Sequence, residues 1–308
     1  MYDAIVIGAR CAGSPTAMLL ARKGYRVLLV DKAKFPSDVI NGYYIHQPGV
    51  LRLKRWGLGD RVRDFHCPAV RQLSLDFGEF TLRGAPPPVE GVAEGYAPRR
   101  FVLDKILVEA AVAAGVELWE GFTVQELMVD GEHVTGIRGH TQGGSVITEQ
   151  ARIVIGADGK HSIVARTMQA PTYNTRPALT CWYYTHWSGV PSEGVAFYIR
   201  GRRTLIETPT SYGLTAVLAG WPHSEFERFR ADIEGNYWQS LDLVPELAER
   251  VHSGRQEERF VGTADMENFF RKPYGSGWAL VGDAGYHKDP YTAQGITDSF
   301  RDAEVTSQ

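Results

Sequence analysis

The stretch IVIGARCAGSP, residues 5–15, decides the fold. Ile5-Val6-Ile7 is a continuous apolar run, typical of a strand that is buried on both faces. A glycine turn runs from Gly8 to Gly13, and a helix then begins at Ser14-Pro15. Proline is tolerated at this position because the amides of the first helical turn have no hydrogen-bond partner within the helix. The helix is predicted to end at Gly24, and Val27–Val30 forms the next buried strand. This pattern predicts a βαβ unit at the start of an α/β fold.

The glycine turn has the chemistry of a dinucleotide site. Gly8 permits a tight turn, Gly13 lets helix and strand approach closely, and the helix N-terminus offers amides and partial positive charge to a diphosphate. Asp31, at the end of the second strand, can accept hydrogen bonds from a ribose diol. Arg10 stands where the fingerprint has its second glycine, so it narrows the space, although its guanidinium can also contact a diphosphate. The motif predicts dinucleotide binding without separating FAD from NAD, and the alternative is a structural turn.

Two further buried strands end in an acidic turn. Ile153-Val154-Ile155 leads into Gly156-Ala157-Asp158-Gly159, and Trp278–Val281 leads into Gly282-Asp283. Ligands of open α/β sheets bind at the carboxyl ends of strands. The helix expected from Gly295 points its positive end toward the same region. Taken alone, the Asp158 segment favours a plain turn, and the Asp283 segment is as compatible with a plain turn as with a ligand site.

The middle of the chain has a different character. Residues 171–271 are rich in aromatics and predict short strands over Tyr183–His186, Val195–Ile199 and Gly213–Leu218, with helices near Glu225–Arg230 and Tyr237–Val251. We therefore predict one discontinuous domain over residues 1–170 and 272–308, and an inserted β-rich α+β domain over 171–271. A β-hairpin near residues 70–98, turning at Gly78, is expected to pack toward the insert. The aromatic side chains of the insert either line a cavity for a planar substrate or pack a sheet core: Trp182, Tyr183, Tyr184, Trp187, Phe197 and Tyr198.

Composition excludes several other classes of protein. The chain has 308 residues, 44% hydrophobic and 22% charged, with a net charge of −3, which disfavours nucleic-acid binding. The densest basic cluster, Arg200–Arg203, is predicted to be a solvated turn. Cys11, Cys67 and Cys181 give neither a disulfide framework nor a zinc spacing, so no metal is expected and a reducing compartment, the cytoplasm, is favoured. Neither a signal peptide nor a transmembrane helix is predicted.

Taken together, the three strand-end segments, in this order and spacing, resemble the class A flavoprotein monooxygenases, the group that includes p-hydroxybenzoate hydroxylase. Pro98-Arg99-Arg100, followed by Leu103-Asp104, is similar to the arginine and leucine segment of that family. The resemblance covers essentially the whole chain and implies an α/β fold with a Rossmann-like FAD-binding domain. Because the family continues past the helix that starts at Gly295, we expect the chain to be truncated at its C-terminus.

The resemblance also implies which residues contact FAD. These residues are Gly8, Ala9, Arg10, Gly13, Asp31, Lys32, Arg100, Val124, Asp158, Asp283, Pro290, Gly295 and Ile296. The segment Asn41–His46 is expected near the flavin ring, with Tyr43, Tyr44 and His46 beside Pro290, although none of these is assigned a catalytic role.

By the same resemblance, the leading hypothesis is a single-component hydroxylase that takes electrons from NAD(P)H as a transient reductant. One oxygen atom from O₂ would pass to an aromatic or polyketide-like small molecule. A second hypothesis is a flavin-dependent reductase or dehydrogenase similar to geranylgeranyl reductases. A third is a non-catalytic FAD-binding remnant. The absence of Trp-x-Trp-x-Ile-Pro, the signature of flavin-dependent halogenases, disfavours halogenation.

Overall fold

The computed structural model describes residues 1–39 and 42–308 and has an α/β fold built around two large sheets. The strands of the first sheet are β1 (Tyr2–Ile7), β2 (Val27–Asp31), β7 (Glu117–Glu120), β8 (Phe122–Asp130), β9 (His133–Thr141), β10 (Val146–Gly156), β19 (Tyr274–Gly275) and β20 (Trp278–Leu280). The helices that accompany it are α1 (Gly13–Arg22), α2 (Gln47–Arg55), α3 (Gly59–Asp64), α4 (Arg100–Ala113), α5 (Ile163–Thr167) and α9 (Gly295–Thr306).

The centre of the first sheet is parallel. β1 lies between β10 and β2, and β10 also pairs with β20, all in parallel. Ile7 lies opposite both Val30 and Gly156, and Gly156 lies opposite Leu280, so these strands end at one edge of the sheet. The fully apolar strands are buried on both faces, as their sequences predict.

The second sheet is mostly antiparallel. Its strands are β4 (Leu73–Asp76), β5 (Thr81–Gly84), β12 (Thr180–Ser188), β13 (Val195–Arg200), β14 (Arg203–Pro209), β15 (Thr215–Pro222), β16 (Arg255–Gln256) and β17 (Val261–Thr263). The predicted hairpin consists of β4 and β5, and β4 pairs in parallel with β13. The basic cluster Arg200–Arg203 is the turn between β13 and β14. Strand β14 is an addition to the predicted set.

Three helices cover one face of the second sheet: α6 (Phe226–Ala231), α7 (Ile233–Leu241) and α8 (Pro245–His252). The single helix predicted over Tyr237–Val251 is wrong, because the chain forms α7 and α8 with a break between them. Proline cannot supply the amide of a helix interior, so Pro245 begins a new helix instead of continuing the old one. The other face of the sheet packs against Tyr43, Tyr44 and Ala97.

Smaller elements join the two parts. β11 (Thr172–Arg176), β18 (Asn268–Arg271) and β21 (Tyr286–His287) form one small sheet, and β3 (Ala69–Val70) pairs with β6 (Gly95–Tyr96). Single 3₁₀ turns occupy Ser211–Gly213, His223–Glu225, Gly282–Ala284 and Pro290–Thr292. Across residues 1–39 and 42–308, none of the helices has both the length and the apolar character needed to span a bilayer.

Candidate functional site

The three predicted segments meet at the carboxyl edge of the first sheet. The Ala157 amide donates a hydrogen bond of 2.8 Å to the Ile7 carbonyl oxygen. A Cβ atom on Gly8 would lie 2.5 Å from the Ala157 carbonyl oxygen, and one on Gly282 would lie 2.9 Å from Cβ of Ala12. The glycine turn therefore touches both acidic turns, and the convergence expected from the strand order is present.

The glycine turn is as tight as its sequence predicts. Gly8 has φ of +102°, a conformation that residues with a side chain rarely adopt. A Cβ atom on Gly13 would lie 1.7 Å from the Gly8 carbonyl oxygen, which is inside van der Waals contact. Helix α1 starts at Gly13, so its N-terminus and partial positive charge lie directly at the edge.

Asp31 has a structural task that the sequence did not reveal. Its carboxylate accepts hydrogen bonds from the Ala9 amide at 2.7 Å and from the Ala33 amide at 2.8 Å. Each carboxylate oxygen has a second lone pair, so Asp31 can hold the turn and also accept from a ribose hydroxyl. Lys32 beside it is exposed, and Val124 on β8 is half-buried.

A buried ion network lies beneath the glycine turn. Asp104 on α4 is fully buried and pairs with Arg10 at 2.7 Å and Arg100 at 3.1 Å. The Arg10 guanidinium also donates to the Ser37 hydroxyl at 2.8 Å and lies over the Phe35 ring, 5.2 Å from its centre. It thus occupies the position of the missing glycine and ties the glycine turn to α4. A contact between Arg10 and a diphosphate stays a prediction.

The two acidic turns differ in how their carboxylates are held. Asp158 accepts a hydrogen bond of 2.7 Å from the Ile163 amide through Oδ2, while its buried Oδ1 has no partner among the described residues. Burial raises the pKa of Asp158. Burial also raises the pKa of Asp283, against the opposing effect of His287 and Arg100. A buried carboxylate oxygen with no partner suits a ligand that brings hydroxyl donors.

The N-terminus of α9 faces open space. A Cβ atom on Gly295 would have no atom within 4 Å, and Ile296 behind it is buried. The turn Pro290–Thr292 borders this space, and the ring nitrogen Nε2 of His46 lies 2.9 Å from the Thr292 carbonyl oxygen. The His46 amide donates to the Thr297 hydroxyl at 3.1 Å. His46 therefore contacts the turn that Pro290 begins, while the position of both residues near a flavin ring stays a prediction.

The two neighbouring tyrosines point to different places. The Tyr44 ring packs 4.6 Å from the His46 ring, and its buried hydroxyl has no partner among the described residues. The Tyr43 hydroxyl lies 3.0 Å from the Tyr184 hydroxyl on β12. Tyr44 thus packs beside His46, whereas Tyr43 contacts the second sheet. Asn41 lies outside the described residues.

The aromatics of the second sheet divide between its two faces because side chains alternate along a strand. Tyr183, Trp187 and Tyr198 pack under the covering helices. Trp182, Tyr184 and Phe197 lie on the opposite face, in a cluster with Tyr43 and Ala293. The Tyr291 ring lies 6.1 Å from Trp182 and 6.0 Å from Phe197. The first three therefore pack a sheet core, as one interpretation predicts. That the other three line a substrate cavity stays a prediction, and Trp182, Tyr184 and Phe197, with Tyr43 and Tyr291, are called the aromatic wall below.

Sequence reasoning missed a polar network beside the aromatic wall. His186, on the same face of β12, contacts Glu258 through Nδ1 at 2.8 Å. Glu258 also pairs with Arg99 at 2.8 Å, and Arg99 pairs with Asp38 at 2.6 Å. The alternation of side chains along β12 could have placed His186 on the same face as Trp182. Its partner Glu258 and the further partner Arg99 come from distant segments, and no sequence spacing connects them to His186.

A separate cavity opens beside the acidic turn that contains Asp158. It has a volume of about 330 Å³, and Lys160, His161, Arg176 and Arg271 contribute cationic groups or imidazole to its lining. Asp265, which pairs with Lys160, and Glu267 are the acidic residues of the lining. This cavity lies next to the predicted flavin site and is suited to a ligand with phosphate groups.

The residues at the sheet edge fit a flavin dinucleotide. They combine a helix N-terminus behind a glycine turn, a strand-end carboxylate for a ribose, an unpaired buried carboxylate oxygen and a second helix N-terminus that faces open space. Which of the residues implied by the resemblance contact FAD stays a prediction.

Comparisons with known proteins agree with this interpretation. The chain is 24% identical over 329 aligned residues to a digeranylgeranylglycerophospholipid reductase of Methanocella arvoryzae, covering 99% of this chain and 76% of the relative. The fold is similar to that of a flavin-dependent brominase, with a TM-score of 0.88 and 21% identity over 100% of this chain and 79% of that one. It is also similar to PqsL, a probable FAD-dependent monooxygenase from Pseudomonas aeruginosa, with a TM-score of 0.83 and 20% identity over 99% and 85% of the two chains.

The comparison with protein families covers almost the whole chain. A family model described as an FAD binding domain matches residues 1–305. This match includes the glycine turn, both acidic turns and the second sheet. The chain therefore belongs to the FAD binding domain family, the FAD-dependent oxidoreductases that include class A flavin monooxygenases and halogenases.

Proposed function

We propose that the protein is a monooxygenase that uses FAD, NAD(P)H and O₂ to hydroxylate an aromatic or polyketide-like small molecule. The observation that carries this proposal is the aromatic wall, in which Tyr43 and Tyr291 pack against the aromatic side chains of the second sheet. A planar substrate between these surfaces would contact ring faces and edges. Bound FAD would supply the redox chemistry and the activation of oxygen.

The protein's own residues then have positioning roles. In this proposal Gly8, Gly13 and Asp31 hold the dinucleotide, and Asp158 and Asp283 accept hydrogen bonds from its hydroxyl groups. The N-terminus of α9 at Gly295 would stabilise negative charge on a reduced ring. The aromatic wall would exclude water and orient the substrate.

The cavity beside Lys160 is our candidate for the nicotinamide cofactor. Lys160, Arg176 and Arg271 supply positive charge for phosphate groups, and the cavity lies directly after the turn that contains Asp158.

Three free and buried cysteines are compatible with the reducing cytoplasm that we propose for this protein.

A second function has its own support. Several curated relatives, at 23–28% identity, carry the name digeranylgeranylglycerophospholipid reductase. A reductase of this kind would transfer electrons to a carbon–carbon double bond and would need no oxygen. The apolar side chains of the aromatic wall are compatible with an isoprenoid chain as well as with a planar ring.

One experiment separates the two functions. FAD-loaded protein is mixed with NADH or NADPH in ¹⁸O₂, with and without a panel of hydroxylated one-ring and two-ring aromatics, and oxygen uptake and product mass are measured. We expect at least one aromatic to accelerate oxygen uptake by about tenfold or more. A tenfold acceleration corresponds to a coupling free energy of about 1.4 kcal/mol between binding of the aromatic and turnover. The matching product should contain ¹⁸O.

The parallel reaction is anaerobic and contains a digeranylgeranylglyceryl phospholipid. Saturation of its chains without oxygen, together with no response to any aromatic, would replace the monooxygenase by the reductase. Any turnover with bound FAD excludes a non-catalytic remnant.

A further inference from the structure

A buried histidine stands at one end of the aromatic wall. His186 is 1% exposed and lies on the face of β12 that carries Trp182 and Tyr184. Its ring centre is 5.6 Å from that of Tyr43 and 5.7 Å from that of Tyr184. Since the hydroxyls of these two tyrosines lie 3.0 Å apart, the imidazole borders a small group of polar atoms in an otherwise apolar surface.

Glu258 fixes which ring nitrogen of His186 carries the proton. The carboxylate Oε2 lies 2.8 Å from Nδ1 and accepts its hydrogen bond, so Nε2 of the neutral ring presents a lone pair. Nε2 is buried and has no partner among the described residues. A buried acceptor without a partner costs free energy, and a hydrogen-bond donor on a bound molecule would remove that cost.

The groups packed around His186 keep the ring neutral. Burial, followed by the nearby Arg99 guanidinium, lowers the pKa of His186, while Glu258 and Asp38 oppose that shift. Burial raises the pKa of Tyr43, so this tyrosine keeps its proton. The Glu258 side chain is 42% exposed, and it therefore connects the buried ring to the protein surface.

We propose that His186, oriented by Glu258, is the base that accepts the proton of an aromatic hydroxyl group on the substrate. In this step the substrate O–H bond breaks, an N–H bond forms at Nε2, and the electron pair stays on the oxygen as a phenolate. Glu258 stabilises the imidazolium that results, as a carboxylate does for a catalytic histidine in general. The inference rests on the proposed function, since removal of this proton assists only a hydroxylation. A phenolate ring is more electron-rich than a phenol and is therefore more easily hydroxylated.

The test uses 4-nitrophenol, whose phenolate is yellow and whose neutral form is not. FAD-loaded protein is titrated with it below the pKa of free 4-nitrophenol, and the difference spectrum against FAD-loaded protein alone is recorded. We expect the wild type to bind it as the phenolate. In His186→Gln the ratio of phenolate to neutral 4-nitrophenol at the same pH should fall by about tenfold, equivalent to a shift of one pKa unit. Glu258→Gln should fall part of the way, because glutamine can still accept the hydrogen bond from Nδ1 but lacks the negative charge that stabilises the imidazolium.

Tyr183→Phe is the matched control, since Tyr183 lies on the same strand but on the face that the helices cover. It should behave as the wild type. The inference is overturned if the wild type fails to bind 4-nitrophenol, or if wild type and His186→Gln show the same ionisation. If either result is found in protein that still binds FAD and shows oxygen uptake stimulated by aromatics, the proposed function stands and only the role of His186 falls.

Discussion

Asp104→Asn is expected to lower the free energy of unfolding by about 3–5 kcal/mol, the usual effect of breaking a buried ion pair by removing one partner. Asp104 is fully buried, and its carboxylate is shared by Arg10 and Arg100. The substitution keeps the shape of the side chain and removes its negative charge, so both guanidinium groups lose the carboxylate that they share. Urea denaturation of the FAD-free protein measures the change.

The control for this prediction is Asp60→Asn, which removes the partner of Arg63 from a solvent-exposed pair. Exposed pairs contribute about 0–1 kcal/mol, so this variant should unfold almost as the wild type does. Equal losses in the two variants would mean that the network beneath the glycine turn does not stabilise the fold.

Gly13→Ala is expected to weaken FAD binding on the order of 100-fold, or about 2.7 kcal/mol. The added Cβ would lie 1.7 Å from the Gly8 carbonyl oxygen, so the turn must open and carry its amides away from the diphosphate position. The same strain should lower the free energy of unfolding by about 1–3 kcal/mol, as overpacking does elsewhere. Quenching of FAD fluorescence gives the affinity, and urea denaturation gives the stability.

Two further alanine variants show whether a loss of affinity comes from the fold or from the ligand site. Neither Gly295→Ala nor Gly84→Ala places a Cβ atom within 4 Å of another atom. Gly295→Ala should keep the stability of the FAD-free protein and still weaken FAD binding, because its methyl group enters the space that we propose for the ring. Gly84→Ala, on the exposed strand β5, should change neither. FAD binding unaffected by Gly13→Ala would contradict the proposed position of the diphosphate.

The sequence predicted the parts of the fold that depend on local pattern. The buried strands, the glycine turn and the acidic turns follow from apolar runs that end in glycine, and adjacent parallel strands bring such ends to one edge. The aromatic wall was only half predictable. Alternation along β12 separates Tyr183 from Tyr184, but the sequence alone does not reveal which face the helices cover.

The rest depended on contacts between distant segments. Arg10 looked like an unfavourable substitution in a glycine motif, and only its pairing with Asp104, 94 positions away, explains how the turn accommodates it. The same holds for His186 and Glu258, which are 72 positions apart. The break at Pro245 was visible in the sequence, but helical periodicity on both sides of it favoured a single helix.

The central claim is that three strand ends hold one flavin nucleotide, and a titration of the FAD-free protein with FAD tests it most directly. We predict saturable binding of one FAD per chain, seen as a change in the flavin absorbance spectrum, with weaker binding by Gly13→Ala. A folded protein whose spectrum shows no bound flavin at any FAD concentration, or whose Gly13→Ala variant binds FAD as the wild type does, would contradict it.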